Sequence, residues 1–237
     1  MIMGTVLTFG SILLNETYSK PGAEYQPGQS IGFGQGNDLR WIMVNDLLIA
    51  DQTLLVNISW NDLDQQDFVF GKPVTLNGQQ FLCRLLKVGA ENGAPNEWDS
   101  ALDMVDDEDC LWHWDKISFW GQEKLDFSNG VYRGSYLPRF WNWFDTAVRS
   151  PIIGFRPALE PVPSDHLASG EQVCAIGGQS VLYGKLLEVT DYDALVKPED
   201  GFKPVKADIG KRYTKLQDGT FIIDRTRMTV QSTMEKK

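Results

Sequence analysis

The chain has only two histidines, His113 and His166, and three cysteines, Cys83, Cys110 and Cys174, in 237 residues. A structural zinc site needs four such ligands, usually in close pairs, and no CxxC pair is present. An odd set of scattered cysteines reads as reduced, mostly buried thiols and argues against a disulfide-built secreted scaffold. No apolar run reaches the roughly 18 residues of a membrane-spanning helix, so no membrane span is expected. The N-terminal Met1-Ile2-Met3-Gly4-Thr5-Val6-Leu7 has no basic residue ahead of its apolar stretch, so no secretory signal is expected. Basic charge is scarce: 22 Lys and Arg stand against 32 Asp and Glu, a formal net charge of -10. Such a chain repels a phosphate backbone, which disfavours a nucleic-acid-binding role. Gly32, Gly34 and Gly36 lack both the Gly-x-Gly-x-x-Gly spacing and a following Walker lysine, so they read as a flexible turn.

What is present is unevenly placed. All eight tryptophans, from Trp41 to Trp143, precede residue 144. Residues 1–164 carry 21 acidic and 11 basic side chains, whereas residues 165–237 carry 11 of each. A proline-rich stretch, Pro157-Ala158-Leu159-Glu160-Pro161-Val162-Pro163, lies between them and favours an extended chain. The sequence therefore divides into residues 1–163 and a small β-rich C-terminal unit, 164–237.

Turn chemistry gives the sharpest local expectations. Asn77-Gly78 between Pro73–Leu76 and Gln79–Arg84 predicts a two-residue hairpin, because both turn positions need positive φ. Asp218-Gly219 predicts a second, between Arg212–Gln217 and Thr220–Asp224. Arg40–Val44, Leu47–Trp60 (bent or divided), Val181–Val189 and Ile152–Leu159 read as further strands. Pro95–Met104 reads as a short helix with Asn96 as N-cap. No long amphipathic helix stands out. Residues 137–151 read as aromatic and irregular, and Trp112 and Trp114 read as one face of a strand, forming a core layer beside His113. His166 reads as an exposed linker residue. Asp103, Asp106, Asp107, Glu108 and Asp109 offer oxygen ligands for Ca²⁺ but lack EF-hand spacing, and read as a solvated acidic loop. No metal, cofactor or catalytic residue is expected.

The segment 132–151 differs in kind. Tyr136, Phe140, Trp141, Trp143 and Phe144 fall within nine residues, among Arg133, Arg139, Asp145 and Arg149. Tyr, Trp and Arg dominate binding hot spots, and rigid aromatics supply contact area at low entropic cost. Alternation puts Phe140, Asn142 and Phe144 on one side and Trp141 and Trp143 on the other, one row buried and one displayed.

Val131-Tyr132-Arg133-Gly134-Ser135, an irregular aromatic stretch, and then Ile153-Gly154-Phe155-Arg156-Pro157 resemble the C-terminal part of the C-type-lectin-like fold of formylglycine-generating enzymes. More specifically, they resemble the variable proteins of diversity-generating retroelements, found in bacteria and prophages. Phe81–Arg84, Pro95–Asp99 and Leu111–Trp114 are similar to other elements of such proteins, so the resemblance covers about residues 30–160. It implies an α+β, C-type-lectin-like fold, β-rich with short helices and long irregular loops, with the C-terminal unit as an appendage outside that fold. The late cysteine pair of the formylglycine-generating oxidases is missing, since Cys83 and Cys110 stand elsewhere. The resemblance therefore implies a non-enzymatic ligand-binding protein.

In that group the segment ending in Gly-Phe-Arg is rewritten at adenines, commonly in Asn-type codons. Such codons yield Phe, Tyr, Ser, Asp or Arg but never Trp. The resemblance thus makes Trp141, Trp143, Gly154 and Arg156 scaffold. It makes Tyr136, Arg139, Phe140, Asn142, Phe144, Asp145 and Ser150 the ligand-binding positions, facing a protein or glycan surface ligand. Two alternatives stand beside it: a structural phage or prophage tail or fibre component, assembled as a homo-oligomer or on the particle, and an oxidase relative without the cysteine pair. Location is left open between cytoplasm, phage particle and cell surface by non-standard export.

Overall fold

The structure is a computed structural model that describes residues 5–105 and 107–233. Met1–Gly4 of the expected signal-less N-terminus and Asp106 of the acidic loop lie outside the described residues. The chain is β-rich α+β: strand accounts for 46% and helix for 8%. No helix among the described residues is long and apolar enough to cross a membrane.

The first sheet runs in space Thr5–Thr8, Arg40–Val44, Leu47–Ala50, Pro157–Pro161, Gln79–Leu85, Lys72–Leu76, with every neighbour antiparallel. Tight turns set two of its pairings. Asn77 and Gly78 have φ of 48° and 81°, and Gln79 pairs with Leu76, as the Asn-Gly signal requires. Asn45 and Asp46, at 49° and 69°, join Val44 to Leu47 in the same way. The Leu47–Trp60 run divides: Leu47–Ala50 belongs to this sheet, Leu55–Val56 to the next, and Trp60 starts a five-residue helix, Trp60–Asp64.

The central strands Arg40–Val44 and Leu47–Ala50 are buried on both faces and almost continuously apolar. Trp41, Met43, Leu48, Ala50, Phe81, Cys83 and Leu159 face one core cluster. Ile42, Val44, Leu47, Ile49 and Ala158 face another, which includes Trp98, Ala101, Leu102 and Val105 of the helix Glu97–Val105. That helix starts where expected: the Asp99 amide donates to Asn96 Oδ1 at 2.8 Å. Each fully buried Leu, Ile or Phe side chain contributes roughly 1.5–3 kcal/mol of transfer free energy.

The second sheet is mixed. Its spatial order is Trp141–Asp145, Asn129–Gly134, Ser118–Lys124, Ile153–Phe155, Leu55–Val56, Ala23–Glu24. Ile153–Phe155 runs parallel to Ser118–Lys124, and Ala23–Glu24 parallel to Leu55–Val56. Phe119 and Val131 point into the helix-side cluster, whereas Trp120 and Tyr132 pack on the other. A small antiparallel sheet, Thr17–Ser19, Ser11–Leu14, Ile31–Gly34, meets the first sheet where Ile31–Gly34 lies against Lys72–Leu76.

The third sheet is wholly antiparallel and holds only later residues: Tyr213–Lys215, Phe221–Asp224, Asp193–Pro198, Ser180–Val189, Gln172–Gly177, Thr229–Ser232. One of its faces covers a cluster of its own around Val196, Tyr213, Phe221 and Ile223. The other sends Cys174 and Ile176 into the main cluster. Gln79 Nε2 donates to Tyr183 Oη at 3.2 Å, and Gln80 and Gln231 bond each other twice, at 3.1 and 2.8 Å.

Several sequence expectations are corrected. Residues 31–34 are a strand rather than a flexible turn, because Ile31–Gly34 pairs with Ser11–Leu14. Trp112 and Trp114 do not share a strand face. Asp109–Trp112 is one helical turn, ended by His113 in the left-handed region at φ 45°. Trp112 is buried there, and Trp114 is only partly so. Segment 137–151 is not wholly irregular, since Trp141–Asp145 pairs with Asn129–Gly134. The expected last strand, Ile152–Leu159, is two strands in two sheets, broken at Arg156. The Asp218-Gly219 turn is wider than two residues: only Gly219 has positive φ, and Leu216 and Thr220 bracket the loop, the type I turn with a G1 bulge.

Candidate functional site

Trp141–Asp145 is the edge strand of the second sheet, with Asn129–Gly134 as its only partner among the described residues. Register puts Asn142 opposite Tyr132 and Phe144 opposite Gly130. Strand alternation then places Phe140, Asn142 and Phe144 on the Tyr132 side. Phe140 sits between two tyrosines, with ring centroids 6.2 Å from Tyr132 and 5.4 Å from Tyr136. Tyr132 rests edge-on against buried Trp120, at 6.2 Å. Burial raises the Tyr132 phenol above its ordinary value of 10.0, and Tyr136 adds to the rise, while a hydrogen bond with the Asn142 side chain opposes it. The phenol is therefore neutral at physiological pH and offers a hydroxyl donor beside aromatic area.

The candidate positions thus fall into two sets. Tyr136, Phe140 and Asn142 meet around Tyr132, and Phe144 continues the row, 40% exposed. Arg139, Asp145 and Ser150 are engaged elsewhere. Arg139 reaches helix Glu97–Val105, with Nη2 on Asp103 Oδ1 at 2.6 Å. Asp145 Oδ1 accepts from the Ala147 amide at 2.8 Å, and the Ser150 carbonyl from the Asn57 amide at 3.0 Å. Tyr132 is the member that sequence reasoning missed. Its signal was the alternation of Val131 and Tyr132, which puts Val131 toward the helix-side cluster and Tyr132 on the opposite face of the sheet.

The other row is not uniformly buried. Trp141 is scaffold: its Nε1 donates to Gly89 O at 2.9 Å, and it packs against the helix-side cluster. Trp143, expected in the same role, is 45% exposed. It stands mid-strand opposite Val131, outside the helix-side cluster that takes in Trp141. Its amide, on the unpaired side, is covered by Asn142 Oδ1 at 2.9 Å.

Two buried arginines bracket this segment. Arg133 donates from Nε and Nη2 to Val88 O, at 3.1 and 2.8 Å, and from Nη1 to Arg139 O at 2.9 Å. Its Nη2 also meets Asp99 Oδ2 at 3.1 Å. Arg156 is fully buried, with its guanidinium carbon 5.0 Å from the Trp98 ring centre and 4.8 Å from that of Phe119. Its Nη2 donates to the carbonyls of Trp112, His113 and Asp51. Burial pushes it down to about 9, with Asp51 and Asp109 opposing, so it stays charged at neutral pH. Asp51 is equally buried, and burial raises its carboxyl against Arg40 at 3.3 Å and His113 at 3.7 Å. Between these anchors Gly134 takes φ +87°, turning the chain out of its strand, and Ser135 follows at 89°.

Among the described residues no three His, Cys, Asp or Glu side chains are grouped to hold a metal ion. His166 is exposed, and His113 sits with Asp51 rather than with a nucleophile. Compared with known protein families, curated proteins and solved structures, the chain gives no match.

Proposed function

We propose that this chain is a non-enzymatic binding protein whose 136–150 segment meets a protein or glycan surface ligand. The scaffold is read as C-type-lectin-like, and the chain as the variable protein of a diversity-generating retroelement. One observation carries this reading. The flanking motif residues Arg133, Gly134, Gly154, Phe155 and Arg156 are all buried, while Asn142 and Phe144 on one side of an open edge strand, Phe140 just before it and Tyr136 in the preceding bend are exposed or half-buried. A fixed frame around a displayed aromatic row suits substitution without loss of the fold. The mix of aromatic area, amide and phenol hydroxyl suits recognition at a surface.

The test is sequencing of the encoding locus in several isolates. The expected result is a near-copy of the segment coding for 130–156 beside a reverse transcriptase, differing from it mainly at adenines. The differing codons should include those of Phe140, Asn142 and Phe144 and exclude those of Trp141 and Arg156. A locus without such a copy overturns the retroelement reading.

A further inference from the structure

The acidic excess stops at the third sheet, where residues 165–237 hold 11 basic side chains. Four of these, Lys211, Arg212, Arg225 and Arg227, line a single open cavity of about 550 Å³. Among the described residues, its only acidic lining residue is Asp46, from the Asn45-Asp46 turn of the first sheet. The cavity therefore lies at the seam between the first and third sheets.

The cations are held in place largely by neutral groups. Arg225 donates through Nη1 to Thr190 O, Arg227 through Nη1 to Lys211 O at 2.9 Å, and Arg212 through Nη1 to Arg227 O. A carbonyl orients a guanidinium without cancelling its charge. Carboxylates reach only part of the set: Arg212 meets Asp46 at 2.8 Å and Asp208 at 3.4 Å, and Arg227 meets Asp224 at 3.5 Å. Among the described residues, Arg225 and Lys211 form no ion pair with a carboxylate. Like charges gathered at one cavity repel, and an anion between them removes that cost.

We propose that this cavity is a binding site for a small multivalent oxyanion, a phosphate or diphosphate group. Guanidinium forks match the tetrahedral oxygens of phosphate, and several can share one group. The net charge of -10 repels an extended polyanion at long range but costs a single small anion little once it is seated. The anion competes with Asp46 for Arg212, so occupancy loosens one tie across the seam.

The test is isothermal titration of the full chain with inorganic pyrophosphate, and separately with long-chain polyphosphate, at fixed salt. The expected result is saturable one-to-one binding of pyrophosphate. The Lys211→Gln/Arg227→Gln double variant, altered at two exposed side chains, should weaken it about tenfold or more. Asp46→Asn should tighten it, because the competing charge is gone while an oxygen remains to accept from the Gly178 amide. Opposite shifts in two variants that keep the wild-type melting temperature separate a site from a folding effect. Tighter binding of polyphosphate, moved by both variants, supports the same site with a phosphate polymer as source. No pyrophosphate binding, or binding that neither variant changes, overturns the proposal.

Discussion

Arg149 grips Asp62 through two hydrogen bonds, Nε to Oδ2 at 2.8 Å and Nη2 to Oδ1 at 2.6 Å. The pair joins the end of the displayed segment to the helix Trp60–Asp64, whose first turn it completes. Asp62 accepts from the Ser59 amide and hydroxyl, and Ser59 Oγ accepts from the Asp62 amide, a reciprocal cap. One carboxylate thus closes a helix and fastens a loop 87 residues away.

This pair sets an acid limit. Burial pushes the Asp62 carboxyl up, but Arg149 and Ser59 outweigh it, and it titrates below its ordinary value of 3.8. A lowered folded-state value gives stability that is complete above 3.8 and lost as pH falls through the folded value. Asp62→Asn should cost about 2 kcal/mol at pH 7, less than a fully buried pair because the Arg149 side chain is part-exposed. Denaturant melts of both proteins across pH should show that difference steady through the neutral range and shrinking below pH 3.8.

Gly154 allows the closest backbone approach in the frame. A Cβ there would stand 1.9 Å from Leu55 O and 2.6 Å from Thr53 Cγ2. The first of these is backbone of the neighbouring strand, to which Gly154 is paired at Val56. Gly154→Ala should therefore destabilise by about 3 kcal/mol or more, a large overpacking effect. Thermal unfolding would check it. Phe144→Ala, on the exposed row, should shift the melting temperature little.

The thiols should divide two to one. Cys83 and Cys174 are buried and Cys110 is exposed. Burial raises the Cys83 thiol well above 9.0 and takes Cys174 up to about 12. The thiolate is the reactive form. A disulfide reagent at mildly alkaline pH should label one thiol quickly and the remaining two only on unfolding. Fast labelling of more than one would contradict this packing.

How much of this was legible in the sequence follows from where each signal sits. Asn77-Gly78 and the Asn96 cap act within four residues, so their strand pair and helix were readable. Asn45-Asp46 makes the same kind of turn as Asn77-Gly78, but without a glycine its positive φ goes unannounced. Arg156 marks the opposite limit. Gly154-Phe155-Arg156-Pro157-Ala158 is uninterrupted in burial pattern, and nothing local says that the strand before Arg156 and the one after it join different sheets. The aromatic repeat at Trp112 and Trp114 misled because a period of two was matched by chance across a helix end. The candidate face was half-legible: Phe140, Asn142 and Phe144 follow from alternation alone, whereas Tyr132 enters only through cross-strand register.

The two buried arginines that frame the displayed segment hold it mostly by backbone carbonyls, of Val88 and Arg139 for Arg133, and of Trp112, His113 and Asp51 for Arg156. A carbonyl is the same whatever side chain its residue carries. Arg139 can be exchanged for any other residue and Arg133 keeps that acceptor. The anchorage is therefore blind to the side chains between its ends, and a substitution there leaves the hydrogen bonds of the frame in place.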